Sequence, residues 1–86
     1  MEEIKLKILQ AFTPGLDVLA ELSKIIRIYG DESYYAVFND LFDNGCFNGV
    51  TCKVADLDGS RMYSILEGAC LSHKGKIILH GMSGRL

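Results

Sequence analysis

Three cysteines and two histidines are the side chains of this 86-residue chain best suited to holding a metal or acting as nucleophiles. Cys46, Cys52, Cys70 and His73 together would make a zinc site of three thiolates and one imidazole. Cys70 and His73 stand at ligand spacing, but five residues separate Cys46 from Cys52, where two to four are usual. The number of cysteines is odd and no Cys-x-x-Cys occurs. They read as reduced thiols used as small apolar side chains, not as a metal site or a disulfide framework. His73 and His80 share a helix face two turns apart, yet no carboxylate or serine accompanies them in a pattern that makes a general base or a nucleophile. No phosphate-binding loop, dinucleotide fingerprint or His-Glu-x-x-His motif is present. Gly45, Gly49, Gly59 and Gly68 read as turn residues. The expectation is a protein that is not an enzyme, with no metal and no cofactor.

Nucleic-acid recognition is the other chemistry these residues permit. Tyr34, Val37, Phe38, Leu41 and Phe42 recur at helical spacing, which turns Glu32, Ser33, Tyr35, Ala36, Asn39, Asp40 and Asp43 outward. Ser33, Tyr35, Ala36 and Asn39 lie on the first and middle turns, where a recognition helix meets base edges. An asparagine pairs bidentately with adenine, and an alanine methyl touches that of thymine. Lys24, Arg27, Lys53 and Arg61, with Lys74 and Lys76, are the cations able to flank such a helix and contact phosphates. Against this, the helix carries four acids (Asp31, Glu32, Asp40 and Asp43) and no Lys or Arg. Phosphates repel such a helix. An acidic face of that kind suits a basic protein partner, and each cation suits an ordinary solvated position.

The elements that must position these residues follow from the apolar pattern. Ile4, Ile8 and either Leu9 or Phe12 mark a first helix of two to three turns, with Glu2 and Glu3 favoured by the dipole at its start. Thr13-Pro14-Gly15 ends it and opens a second helix, with Thr13 as N-cap and Pro14 at the first helical position. Leu19, Leu22, Ile26 and Tyr29, joined by Leu16, Val18 and Ile25, form the second stripe. Its β-branched end is compatible with partly extended backbone. Gly30 closes this helix, Asp31 caps the third, and Asn44-Gly45 ends that one. Val50, Cys52 and Val54 then alternate with Thr51, Lys53 and Ala55, Asp58-Gly59 signals a hairpin turn, and Arg61 to Leu66 returns, broken at Gly68. Ser72 caps a last helix from His73 to about His80, with Ile77, Ile78 and weakly Met82 as its apolar residues. Gly81, Gly84 and Leu86 indicate a ragged end from about residue 81. Tyr34, Phe38, Phe42, Phe47 and Tyr63 read as core, and Ile28, Tyr29 and Tyr35 as a surface open to a partner.

Composition sets the outer bounds. Hydrophobic residues are 49% and charged residues 23%, which excludes disordered and fibrous classes. The length predicts one domain over residues 1–86. Net charge is −2, unevenly spread: residues 1–45 hold eight acids against four bases, and residues 46–86 hold five bases against three acids. That is a mild tilt toward a basic C-terminal half and not the basic stripe usual in nucleic-acid binders. Met1-Glu2-Glu3 is acidic and leads into no apolar signal region, and no apolar run reaches bilayer length, so a cytoplasmic location without a membrane association is expected. So apolar a small chain also suggests a homodimer.

Helix, helix, helix, hairpin, helix is the order of a winged helix-turn-helix. This is an α+β fold of three helices, a β-hairpin wing and a C-terminal helix, with the third helix as recognition helix. Leu41-Phe42-Asp43-Asn44-Gly45-Cys46-Phe47-Asn48-Gly49-Val50 resembles the junction from recognition helix to wing in such domains. Leu71-Ser72-His73-Lys74-Gly75, after Met62-Tyr63-Ser64-Ile65, resembles the Leu-Thr-x-Lys-Gly opening of their last helix. In this order and spacing the two motifs resemble the YjcQ-like family of small bacterial and phage proteins over roughly residues 31–82, while residues 13–30 are longer than that family's short second helix. The resemblance implies a winged helix and, in type, a DNA-binding transcriptional regulator. The alternative on the same fold is a non-enzymatic protein-interaction module using the acidic third helix.

Overall fold

A computed structural model of the chain describes residues 2–83. These form, in order, α1 (Glu2–Ala11), α2 (Val18–Tyr29), α3 (Asp31–Asp43), β1 (Phe47–Val54), β2 (Arg61–Leu71) and α4 (His73–Ser83). The described residues are thus α+β, with four helices and one antiparallel two-stranded hairpin in the expected order. No helix among the described residues is long and apolar enough to cross a membrane.

The core lies among the helices. From α1 come Ile4, Ile8 and Leu9, followed by Phe12; from α2, Leu22 and Ile25; from α3, Tyr34, Val37, Phe38 and Leu41. Cys46 and Leu71, at the two roots of the hairpin, close it. Phe12, Phe47 and Phe38 stack in a row, with centroids 4.6 and 4.9 Å apart, so the base of β1 is packed into the helices. Such aromatic contacts add to area burial and tie strand to bundle.

Several boundaries differ from the sequence reading. The second helix does not start at Thr13-Pro14. The Thr13 hydroxyl instead donates to the Gln10 carbonyl at 2.7 Å and closes the end of α1. Asp17 is the N-cap of α2, its carboxylate accepting the Ala20 amide at 3.3 Å. Leu16 therefore lies outside the helix and is exposed. Leu19 is exposed as well, because the inward face is centred on Val18, Leu22, Ile25 and Tyr29, and Leu19 sits about 100° round from Val18. The β-branched end of α2 stays helical through Tyr29. Asp31 does not cap α3; it is the first helical residue, and Gly30 at φ +89 serves both helices. Only one residue turns the chain there, and that positive φ disfavours any residue with a Cβ.

The hairpin is longer than expected on both sides, and β1 starts at Phe47 instead of Val50. The turn is a six-residue loop, residues 55–60, that includes the anticipated Asp58-Gly59, with the Asp58 carboxylate accepting the Ser60 amide at 3.0 Å. Gly68 does not end β2, which runs on to Leu71. Val50 pairs with Ile65 and Asn48 with Cys70, so Gly49 alone stands opposite residues 66–69. This bulge bends the strand and brings Ala69 against Gly49, where a Cβ would come within 3.0 Å of the Ala69 Cα.

α4 begins as anticipated, with the Ser72 hydroxyl accepting the Gly75 amide at 3.2 Å. It continues past His80 and Gly81 to Ser83; Gly84 and Leu86, the rest of the expected ragged end, lie outside the described residues. Its inward residues are Gly75, Ile78, Leu79 and Met82, at helical spacing, and Ile77 faces outward.

Candidate functional site

Of the candidates for nucleic-acid contact, Asn39 and Arg61 lie where α3 meets the hairpin, and the structure ties both into the fold. Asn39 and Asp43 are one helical turn apart on α3. Arg61 and Tyr63 are two apart on β2 and so share a face of the hairpin. The two pairs meet. Arg61 grips Asp43 through both guanidinium arms, at 2.9 and 3.2 Å. The same guanidinium donates to the Tyr63 hydroxyl at 3.2 Å, and that hydroxyl donates to the Asn39 side-chain carbonyl. Below this polar seam the Tyr63 ring sits edge-on to Phe38 and Phe42, at 4.7 and 5.1 Å.

The charges respond to this geometry. Hydrogen bonding to Asp43, and then to Tyr63, holds the Arg61 guanidinium still more firmly protonated than usual. Burial pushes the Tyr63 phenol up, partly opposed by Arg61. A bidentate arginine fork fixes orientation as well as charge, so the hairpin is held in register along α3.

The other candidates stand apart from this seam. Ser33 is half-buried, and Tyr35 and Ala36 are exposed on the first two turns of α3. The Tyr35 ring lies edge-on to Tyr34 at 4.8 Å, which fixes its direction. Lys24 is exposed on α2 and paired with Glu21 at 3.4 Å. Arg27, also on α2, and Lys53, on β1, are exposed and join no ion pair among the described residues. Lys53 pairs in register with Met62 and Val54 with Arg61, so strand alternation places Lys53 on the face away from α3. The structure thus brings Asn39 and Arg61 together and leaves Lys53 and Arg61 on opposite faces of the wing.

Sequence reasoning missed Tyr63 and Asp43 as members of the seam. The signal was present: two side chains at strand spacing, both able to hydrogen-bond, and two at helical spacing on the neighbouring element. The thiols do not converge with His73. No group of three or more His, Cys, Asp or Glu able to hold a metal forms among the described residues. Cys46 is fully buried, and burial pushes its thiol up.

What the fold and this seam define is a small α+β protein whose hairpin is clamped along its third helix. Comparison of the chain with protein-family models, with curated proteins and with solved structures returns no match.

Proposed function

We propose that this chain is a winged-helix domain with a binding role, and that α3 with the hairpin seated on it forms one docking face for a basic protein segment. The observation that carries this reading is the commitment of Arg61 and Asn39 to Asp43 and Tyr63. With Arg61 spent on Asp43, α3 retains Asp31, Glu32 and Asp40 and has no Lys or Arg of its own. Duplex DNA carries one negative charge per roughly 1.7 Å of axis and is repelled by such a helix. A Lys- or Arg-rich segment is attracted to it. The exposed Tyr35 ring adds a face for a cation, and Ala36 beside it leaves room for a long side chain. The element order, and the resemblance of the two junction motifs to YjcQ-like proteins, support the winged-helix reading.

Duplex DNA is the second reading. It rests on Ser33 and Tyr35, whose side chains make no hydrogen bond among the described residues, and on the exposed methyl of Ala36, all on the turns of α3 nearest its start.

Fluorescence anisotropy separates the two. The protein is titrated with a labelled lysine-rich peptide and with a labelled duplex of mixed sequence, each across a salt series. The expected result is binding of the peptide, weakened about tenfold by the double substitution Glu32→Lys and Asp40→Lys, as befits a charge-steered contact. Asp43 is left intact, because it holds Arg61. Binding of the duplex with a steep loss of affinity as salt rises would favour DNA instead. Binding of neither probe removes both readings.

A further inference from the structure

An unfilled groove lies away from α3. The connection between α1 and α2 forms one wall of this groove, and the bulge of β2 forms the other. The groove encloses about 510 Å³. Three leucines stand exposed along it: Leu16 at 47%, Leu19 at 59% and Leu66 at 51%. Its charged lining residues are Asp17 and Glu67, and no Lys, Arg or His among the described residues lines it. Three leucines clustered in one groove are not the scattered apolar exposure of an ordinary surface, and such patches mark contacts.

The acids at the groove select its occupant: an apolar side chain flanked by cations, carried on a helix. The chain presents one such surface itself. On α4, His73, Lys76, Ile77 and His80 fall on one face at helical spacing, and Lys74 stands beside them. Ile77 is 58% exposed at the centre of that face, and α4 contains no acidic residue among its positions 73–83.

We propose that the groove between the α1–α2 connection and the β2 bulge receives the Ile77 face of α4 from a second copy of this chain. Ile77 enters among Leu16, Leu19 and Leu66, and Lys74 and Lys76 approach Asp17 and Glu67. The contact joins two different surfaces, so each copy offers one of each. It is a helix-in-groove contact. Its driving force is apolar burial, and the charges set which way the helix lies. It stands independently of the reading of α3, because neither surface includes that helix.

The test is sedimentation velocity on the full chain over a concentration series reaching several hundred micromolar. The unsubstituted protein is expected to associate as concentration rises. Ile77→Glu spoils the α4 face and Leu19→Lys spoils the groove; each is expected to weaken association about 10- to 100-fold, the equivalent of one buried aliphatic side chain. Both sites are exposed, and circular dichroism with thermal melting verifies that each variant folds. An equimolar mixture of the two variants keeps one intact groove and one intact α4 face, and it is expected to recover a 1:1 species that neither variant forms alone. Chemical-shift changes on dilution of the unsubstituted protein give a second readout and are expected at residues 16–19, 66–69 and 73–80. A protein that stays monomeric at every concentration overturns the proposal. So does association unaffected by either substitution, a mixture that remains monomeric, or shift changes confined to other residues.

Discussion

The backbone of Gly75 is pressed against the carbonyl oxygen of Cys46: a Cβ at Gly75 would overlap that oxygen and stand 3.3 Å from the Cβ of Leu71. The same oxygen accepts the Ser72 amide at 2.9 Å. The Ser72 hydroxyl donates to the Gly45 carbonyl at 2.5 Å and accepts the Gly75 amide. The end of α3 and the start of α4, 27 residues apart at Gly45 and Ser72, are therefore fastened at one point. This junction closes the bundle beneath the hairpin, and its clearances are set by backbone atoms that cannot rotate away.

Gly75→Ala is accordingly expected to cost about 1–3 kcal/mol, the range for forcing extra volume into a filled site. The helix preference of alanine, worth about 1 kcal/mol, works in the opposite direction. Gly81 supplies the control. It lies in the same helix with open space around it, so Gly81→Ala is expected to stabilise by about 0.5–1 kcal/mol. Urea denaturation of both variants measures the difference, and equal effects would mean that α4 does not sit on Cys46.

The seam between α3 and the hairpin makes a second prediction. Tyr63→Phe removes the hydroxyl that joins Arg61 to Asn39 and is expected to cost about 1 kcal/mol. The Arg61–Asp43 pair is worth less. Its side chains keep 33% and 54% of their exposure, so a double-mutant cycle with Arg61→Ala and Asp43→Ala is expected to give a small coupling that shrinks as salt is added. A large coupling that added salt leaves unchanged would show a drier seam than this geometry provides.

Alkaline pH tests the core. Burial raises the Tyr34 phenol above its ordinary value of about 10, and the neighbouring phenols of Tyr35 and Tyr63 add to the shift. The folded protein thus holds this proton more tightly than the unfolded chain. Its contribution to stability is fully present below about pH 10 and is lost as the pH rises toward the folded-state value. Denaturation midpoints are expected to fall as the pH rises above about 10, and Tyr34→Phe is expected to flatten that fall. An unchanged slope in the variant would place the alkaline loss elsewhere.

Local pattern accounts for much of the architecture. The spacing of Tyr34, Val37, Phe38 and Leu41 specifies α3 and its buried side, because a 3.6-residue repeat of apolar side chains has one way to reach a core. The Asp58-Gly59 turn and the Ser72 cap are likewise local chemistry and stand where the residues place them. The misplacements occur where two local signals competed. Thr13-Pro14 is a good helix start, but Asp17 is another, and the Thr13 hydroxyl finds its partner behind it in α1. At Gly68 a strand-breaking residue became the bend of a bulge, since the partner strand offered a glycine at which the backbone could approach.

The candidate site was legible only as a set of residues. Sequence alone determined that α3 would present Tyr35, Ala36, Asn39 and Asp43 on one side and that Arg61 and Tyr63 would share a strand face, because these follow from helix and strand periods. Whether Arg61 was free for a phosphate or spent on a carboxylate was decided by the approach of two elements distant in the chain, and no period encodes that distance. The same holds for the groove beside Leu16, Leu19 and Leu66: each leucine is an ordinary apolar residue in its own segment, and only the packing of the β2 bulge against the α1–α2 connection assembles them into one surface.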